Sequence, residues 1–350
     1  MKILLFSDVH WSATSSIVRT MAEKYTTRLQ LLLESMNWVN NQAIIHQCDL
    51  MICAGDFFDR TTINDLELTA LKDIKWNNLP CYFLVGNHES SVADLHLNLL
   101  KALENEKHII VDKPEFSLDL NGCIVNFLPY IAASEKKPLV DYFKSFDLNK
   151  KHIIISHNDL AGIQYGKFLS TAGFSIDEIT QMGDLYLNGH LHNSEWISSK
   201  VLNLGSLSAH NFTNDSFKYS YGAWLLDTET LQLNFLENPY GLNFYKIVIE
   251  QQNDFMQLGS LKQNAVVAIS CKKNLIEELK NKFDANCYPN IIAKKLVTIF
   301  DYEQSSLDTQ NNVTTLCNID HVQRFIDFCH EKLGTNKCID DELYEICLNK

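Results

Sequence analysis

Five short apolar runs in this chain each stop at a residue type that ligates metal ions. "KILLFSDVH" ends in Asp8 and His10, and "LMICAGD" ends in Asp56. "CYFLVGNH" ends in Asn87 and His88, "KHIIISH" in His157, and "DLYLNGHLH" in His190 and His192. Runs of this length read as buried strands. Residues two apart in an extended chain point to the same side, so Asp8 with His10, and His190 with His192, can converge on one object. In α/β sheets such sites form at the carboxyl ends of the strands.

The spacers support that arrangement. Residues 26–45 carry Leu29, Leu32, Leu33, Met36 and Val39 at helical spacing, and helices are expected over 63–74 and 92–105 as well. This βαβαβα order argues for a layered α/β fold with parallel strands. "FSLDLNGCIVNFLPY" reads as a hairpin turning at Asn121-Gly122, and more strand-like runs follow up to residue 237. Two packed sheets with helices outside fit residues 1–240. After Pro239 the pattern changes. "FYKIVIE", "AVVAISC" and "KLVTIFDY" read as strands, with a helix in "KNLIEELKNKFDAN", so 241–302 is a small separate α/β unit. Residues 303–318 are a polar linker. In 319–350, "IDHVQRFIDFCHEKL" places Val322, Phe325, Ile326, Cys329 and Leu333 on one helical face, suited to an outside partner.

Composition limits the classes. With 46% apolar and 21% charged residues among 350, the chain is globular and long enough for more than one domain. No apolar run reaches the ~18 residues that span a membrane. The opening "MKILLFSDVH" reads as a first strand, not a targeting segment. Net charge is -13, unevenly spread. Residues 1–240 hold 18 Lys and Arg against 28 Asp and Glu, 241–302 hold 8 against 6, and 303–350 hold 4 against 9. Such an acidic body binds nucleic acid poorly unaided, but holds cations where carboxylates converge. The ten cysteines form no CxxC, and are expected to be reduced and mostly small core residues.

Placing the five strand ends side by side gathers Asp8, His10, Asp56, Asn87, His157, His190 and His192. Mixed oxygen and nitrogen donors suit Mn²⁺, Fe²⁺ or Zn²⁺, and the absence of thiolates argues against a structural zinc. One shared carboxylate can bridge two ions roughly 3.5–4 Å apart. Gly55, Gly86 and Gly189 each precede one of these ends, where a missing Cβ lets backbone approach closely.

The five blocks, in this order, resemble the calcineurin-like metallophosphoesterase superfamily, whose motifs run D-x-H, G-D-x-x-D, G-N-H-[DE], H and G-H-x-H. All five lie within residues 8–192. The resemblance implies that Asp8, His10 and His192 hold one ion, that Asn87, His157 and His190 hold a second, and that Asp56 bridges them. It makes His88 the catalytic histidine, contacting the phosphate or protonating the leaving oxygen, with Asp59 and Glu89 orienting histidines. "VLNLGSLSAHNFTND" and the following "YGAWLLD" are similar to SbcD-type DNA-repair nucleases and to recombination endonuclease subunits of tailed phages. Protein serine/threonine phosphatases share "GDFFDR" and "GNHE", but usually carry Arg and Gly where Val85 and Thr61 stand. Asp59 replaces a His common in archaeal and eukaryotic relatives, which points to a bacterial or phage branch. Tyr221 replaces a usual Lys.

That resemblance implies a two-sheet α/β metallophosphoesterase fold, with 241–302 as a capping domain and 319–350 as a helical segment binding an SbcC-type ABC ATPase. The expected activity is hydrolysis of DNA phosphodiesters, as exonuclease or endonuclease, in end processing, recombination and repair. Two divalent ions are expected, Mn²⁺ foremost, with Mg²⁺, Fe²⁺ or Zn²⁺ as alternatives. A cytoplasmic homodimer within a heterotetramer is the expected assembly, with no membrane contact. The rival activities are a phosphoprotein phosphatase or small-molecule phosphodiesterase of the same superfamily. A non-catalytic scaffold is a further rival, disfavoured because all seven ligands and His88 are present. Residues 11–25 form either a substrate-facing loop or a plain surface loop. Lys272, Lys273, Lys280 and Lys282 meet either DNA or solvent. His96, His108, His152, His210 and His321 are expected to be structural.

Overall fold

A computed structural model describes residues 1–299, apart from residues 19, 92–93, 115, 144–148, 166–167 and 210–217. The expected linker 303–318, the helical segment 319–350, His210 and His321 lie outside the described residues.

Two six-stranded sheets form the body. The first runs in the order Leu233–Glu237, Gly222–Asp227, Lys2–Phe6, Leu50–Cys53, Cys81–Leu84 and His108–Val111, and its last four strands are parallel. The second runs Glu195–Ser198, Val201–Asn203, Leu185–Asn188, Lys151–Ser156, Cys123–Leu128 and Ser117–Leu120, with the middle four parallel. Strand alternation builds a layer on each face. Ile3 and Leu5 join Phe127, Ile153, Ile155 and Leu187 in the core between the sheets. Leu4 and Phe6 point the other way, into a core with Leu29, Leu32 and Met36 of the helix Thr27–Ile45. On the far side of the second sheet, Ile154 and Tyr186 pack with Ile179 of the helix Ile176–Met182. The fold is thus the helix–sheet–sheet–helix layering expected above.

Local signals explain the element ends. Thr26 caps the first helix, its side chain accepting from Leu29 N, and Asn64 with Glu67 forms a capping box on the helix Asp65–Lys72. Asn121 and Gly122 both have positive φ (55° and 90°), as a two-residue hairpin of the type I′ kind requires. One expectation is corrected. Within the helix expected over 92–105, the described residues are not α-helical: Asp94–Asn98 is a strand paired antiparallel with Ser90–Ser91, followed by a 3₁₀ turn at Leu99–Leu103. Leu95 and Leu97 alternate with period two, and Leu95, Leu99, Leu100 and Leu103 all reach the helix-side core. Tertiary packing here overrides helical spacing.

Beyond the body, Asn243–Ile249, Ala265–Lys272 and Ile291–Ile299 form a parallel sheet with the helix Ile276–Asp284. It has its own core, including Ile249, Phe255, Val267, Ile269 and Leu279. A second cluster of Val18, Ala209, Tyr221, Leu242, Phe244 and Val266 joins this sheet to the body. Tyr221 therefore packs at that junction. Trp11, Val18 and Tyr25 are buried, so the loop through residues 11–25 lies against the body. Lys280 and Lys282 pair with Glu277 and Glu278 of their own helix. Cys48, Cys53, Cys81, Cys123 and Cys271 are buried thiols, and no cysteine among the described residues is in a disulfide. No helix among the described residues is long and apolar enough to cross a membrane.

Ile153 tests the core between the sheets. Ile153→Ala removes a fully buried side chain there. It should lower stability by about 2–5 kcal/mol. Urea unfolding should show an earlier midpoint at unchanged slope; a midpoint like the wild type's would mean the sheets do not pack as described.

Candidate metal centre

Three strand ends of the first sheet and two of the second face one another and bring all seven candidate ligands together. Backbone hydrogen bonds stitch the first two loops: Asp8 N to Gly55 O (3.0 Å), His10 N to Asp56 O (3.1 Å) and Trp11 N to Phe57 O (2.8 Å). Across the second sheet, Gly189 N donates to Ser156 O at 2.8 Å. Asp8, His10, Asp56 and His190 all have positive φ, between 49° and 70°. Non-glycine residues rarely adopt this conformation, and where it occurs the surrounding structure must enforce it.

Three groups have ligand atoms within 4.8 Å of one another: Asp8, His10 and His192; Asp56, His157 and His190; and His10, Asp56 and His88. In the first, Asp8 Oδ1 lies 3.9 Å from His10 Nε2 and 3.8 Å from His192 Nε2, and the two imidazoles approach to 3.0 Å. In the second, Asp56 Oδ2 lies 3.1 Å from His157 Nε2, and Asn87 Oδ1 lies 3.0 Å from His190 Nδ1. In the third, His88 Nε2 is 3.9 Å from Asp56 Oδ2, and its ring meets that of His10 edge-on at 4.8 Å. Asp8, His10, Asp56 and His157 are buried, whereas the side chains of His88 and His192 are 37% and 34% exposed. The cluster therefore opens to solvent on one side.

Second partners decide which ring nitrogen faces inward. His157 Nδ1 donates to the Ala54 carbonyl at 2.7 Å, and His88 Nδ1 to the Asp59 carbonyl at 2.7 Å. The Asp59 carboxylate lies 3.3 Å from His10 Nδ1. Each arrangement turns Nε2 toward the cluster. Glu89 does not orient a histidine. It accepts from Phe58 N and Gly86 N, bracing the two loops beside Asp56. Close approach also dictates glycine. A Cβ on Gly86 would lie 2.1 Å from Asp56 Oδ1, and one on Gly55 would lie 2.1 Å from His157 Nδ1.

Several contributors lack a motif of their own. Asp159 Oδ1 sits 3.2 Å from His190 Nε2. Ser7 Oγ donates to Asp8 Oδ2, which also accepts from His190 N at 3.1 Å. Buried Arg28 donates to the carbonyls of His10 (3.2 Å) and Ala209 (3.3 Å). Burial lowers its pKa to about 10, which leaves it charged at neutral pH. Glu67 clamps the neighbouring loops by accepting from Ala13 N and Arg60 Nη2. Of these, Asp159 alone carried a usable signal, two positions after His157 in "HND". Away from the centre, His108 bonds to Leu103 O, and His96 pairs with Asp112.

The donor set fits divalent cations. Asp8 Oδ1 is buried without a hydrogen-bond partner, a costly state that a cation would relieve. Electrostatics agree. Burial pushes Asp56 up, but His157, His10 and His88 outweigh it and hold the carboxyl well below its usual range. Burial opposes charge on His157, yet Asp56 and Asp8 raise it to about 10. Burial, helped by Asp56, lifts Glu89 to about 8. Burial lowers His192 to about 4, so that ring is neutral and can ligate.

A pH dependence follows. Without metal, His157 stays protonated in the fold up to about pH 10, against about 6.5 unfolded. Its pairing therefore stabilises the metal-free fold fully below about pH 6.5, and that contribution is lost as pH rises through about 10. A cation bound through His157 Nε2 would displace this proton, so apparent Mn²⁺ affinity should then rise with pH, up to about tenfold per unit for each proton released. Calorimetric titrations in buffers of different ionisation enthalpy measure both quantities. An affinity independent of pH, with no proton released, would remove His157 from the ligands. The companion variant Asp56→Asn should lose both ions, and retention of both would break its assignment as the shared carboxylate.

Comparison with known proteins bears on the same residues. The sequence matches none of the curated proteins compared with it. Among solved structures, TT1561 of Thermus thermophilus is similar at 15% identity, covering 67% of this chain and 98% of that one, with a TM-score of 0.39. The family model for calcineurin-like phosphoesterases matches residues 1–245, which include the whole cluster. Over most of its length, and through every loop that reaches the centre, this chain belongs to the calcineurin-like phosphoesterase family, whose members are metal-dependent phosphoester hydrolases.

Proposed function

We propose that the chain hydrolyses phosphodiester bonds in DNA, with Asp8, His10 and His192 holding one divalent ion, Asn87, His157 and His190 a second, and Asp56 between them. Mn²⁺ is the ion we favour. The observation that carries the reading is Asp56, grouped with His10 on one side and with His157 and His190 on the other, beside the part-exposed His88. Ions held there would supply Lewis acidity and neutralise phosphate charge. The chain's own residues do the rest. The Ala54 carbonyl and the Asp59 carboxylate keep imidazole lone pairs aimed inward. His88, anchored through Nδ1, presents Nε2 at the open side, where it can hold a proton for the leaving sugar oxygen.

DNA is favoured over phosphoproteins by Val85 and Thr61, by the "GSLS" segment, and by the further α/β sheet after the body. The acidic body needs help to hold DNA. We assign that help to an SbcC-type ABC ATPase, bound through 319–350, in a cytoplasmic heterotetramer built on a homodimer of this chain. A phosphoprotein phosphatase would use the same centre, so substrate decides between them. With Mn²⁺, the protein should release nucleotides from DNA; phosphate released from phosphopeptides, with DNA untouched, would sink the reading. His88→Ala should keep both ions and lose about 10²–10⁴-fold in kcat. If an ion is lost with the side chain, His88 is a ligand instead. Removing 319–350 should leave metal binding intact and abolish co-purification with the ATPase. Unchanged affinity for the ATPase would place the partner elsewhere.

A further inference from the structure

We infer that Asp159 is the positioning residue for the second ion set, fixing the His190 ring so that Nδ1 faces Asn87. This rests on the metal assignment proposed above. His10, His157 and His190 share one design, in which one ring nitrogen meets an oxygen and the other faces the cluster. For His10 that oxygen belongs to Asp59 (3.3 Å), and for His157 it is the Ala54 carbonyl (2.7 Å). For His190 it is Asp159 Oδ1, 3.2 Å from Nε2, while Nδ1 lies 3.0 Å from Asn87 Oδ1. His10 and His157 are buried, so packing also restricts their rings. His190 is part-exposed, its side chain 19% accessible, and depends more on an explicit partner. A carboxylate there sets the ring orientation and makes the inward nitrogen a stronger donor.

Asp159 is itself held from outside the ligand motifs. Phe174 N donates to the Asp159 carbonyl at 3.1 Å, and Leu160–Ala161 pairs with Phe174–Ser175. Gly173 has φ 83°, and a Cβ there would lie 1.8 Å from the Asp159 carbonyl oxygen. Next door, Asn188 Nδ2 donates to Asn158 O at 3.0 Å, tying the strand end before His190 to the one after His157. The chain thus leaves the centre after Asp159 and returns at Gly173–Phe174 to pin it.

The test is calorimetric titration of the metal-free protein with Mn²⁺ alone. Asp159→Ala should weaken one of two binding events by about 10–100-fold. The affected event should be the one that His190→Ala abolishes, not the one that His192→Ala abolishes. Asp159→Asn, which keeps an acceptor for the Nε2 hydrogen, should recover most of the loss. Thermal unfolding of metal-free Asp159→Ala should match the wild type, since the side chain is 38% exposed. Unchanged binding, equal weakening of both events, no recovery in Asp159→Asn, or affinity lost in step with thermal stability would each overturn the role. No DNA enters the titration, so a failure here leaves the nuclease reading standing, and an inactive nuclease leaves this result interpretable.

Discussion

A carboxylate buried as deeply as Asp56 cannot stand alone, and the convergence of strand ends around it answers that constraint. An isolated charge in a low-dielectric interior is costly unless it is paired or coordinates a cation. Asp56 receives His88 N at 3.0 Å, faces His157 Nε2 at 3.1 Å, and lies near His10. These partners come from strands of both sheets. The polar centre can therefore form only where the two sheets meet at their carboxyl ends. The apolar layer beneath, with Ile3, Leu5, Phe127 and Ile155, supplies the burial that holds those ends in register.

The same convergence explains the irregular backbone. Loops carrying Asp8, His10, Asp56 and His190 turn through left-handed conformations that such residues seldom take unaided. Mutual hydrogen bonds between the loops, and the buried Arg28 behind His10, lock those turns. Gly55 and Gly86 admit the approach of His157 and Asp56 to distances no side chain would tolerate. Strain of this kind survives only where the surroundings over-determine it, which is why it gathers at the centre. Charge follows the same plan. Against its burial, Asp56 and Asp8 favour the protonated form of His157, while burial, aided by His10 and His190, keeps His192 neutral.

Much of this was legible before the structure. Period-two and helical spacing marked the strands and most helices, and the five strand ends named Asp8, His10, Asp56, Asn87, His88, His157, His190 and His192 as neighbours-to-be. Such features are local, because each ligand sits at a fixed offset from an apolar run. The error over 92–105 has the same root. Leucine spacing there satisfied a helical template, whereas pairing of Asp94–Asn98 with Ser90–Ser91 depends on residues the template does not weigh.

Periodicity and residue chemistry are properties of short segments, and they sufficed for the layered α/β class, the succession of strands along the chain and the candidate ligand residues. Only the tertiary structure decided which nitrogen of each histidine turns inward, that Glu89 braces backbone instead of a ring, that Tyr221 packs on Phe244, and that Asp159 backs His190. Each of these depends on distances between segments remote along the chain. Hydrogen bonds and buried charge act over a few ångströms, so their partners are chosen only once the sheets have closed on one another.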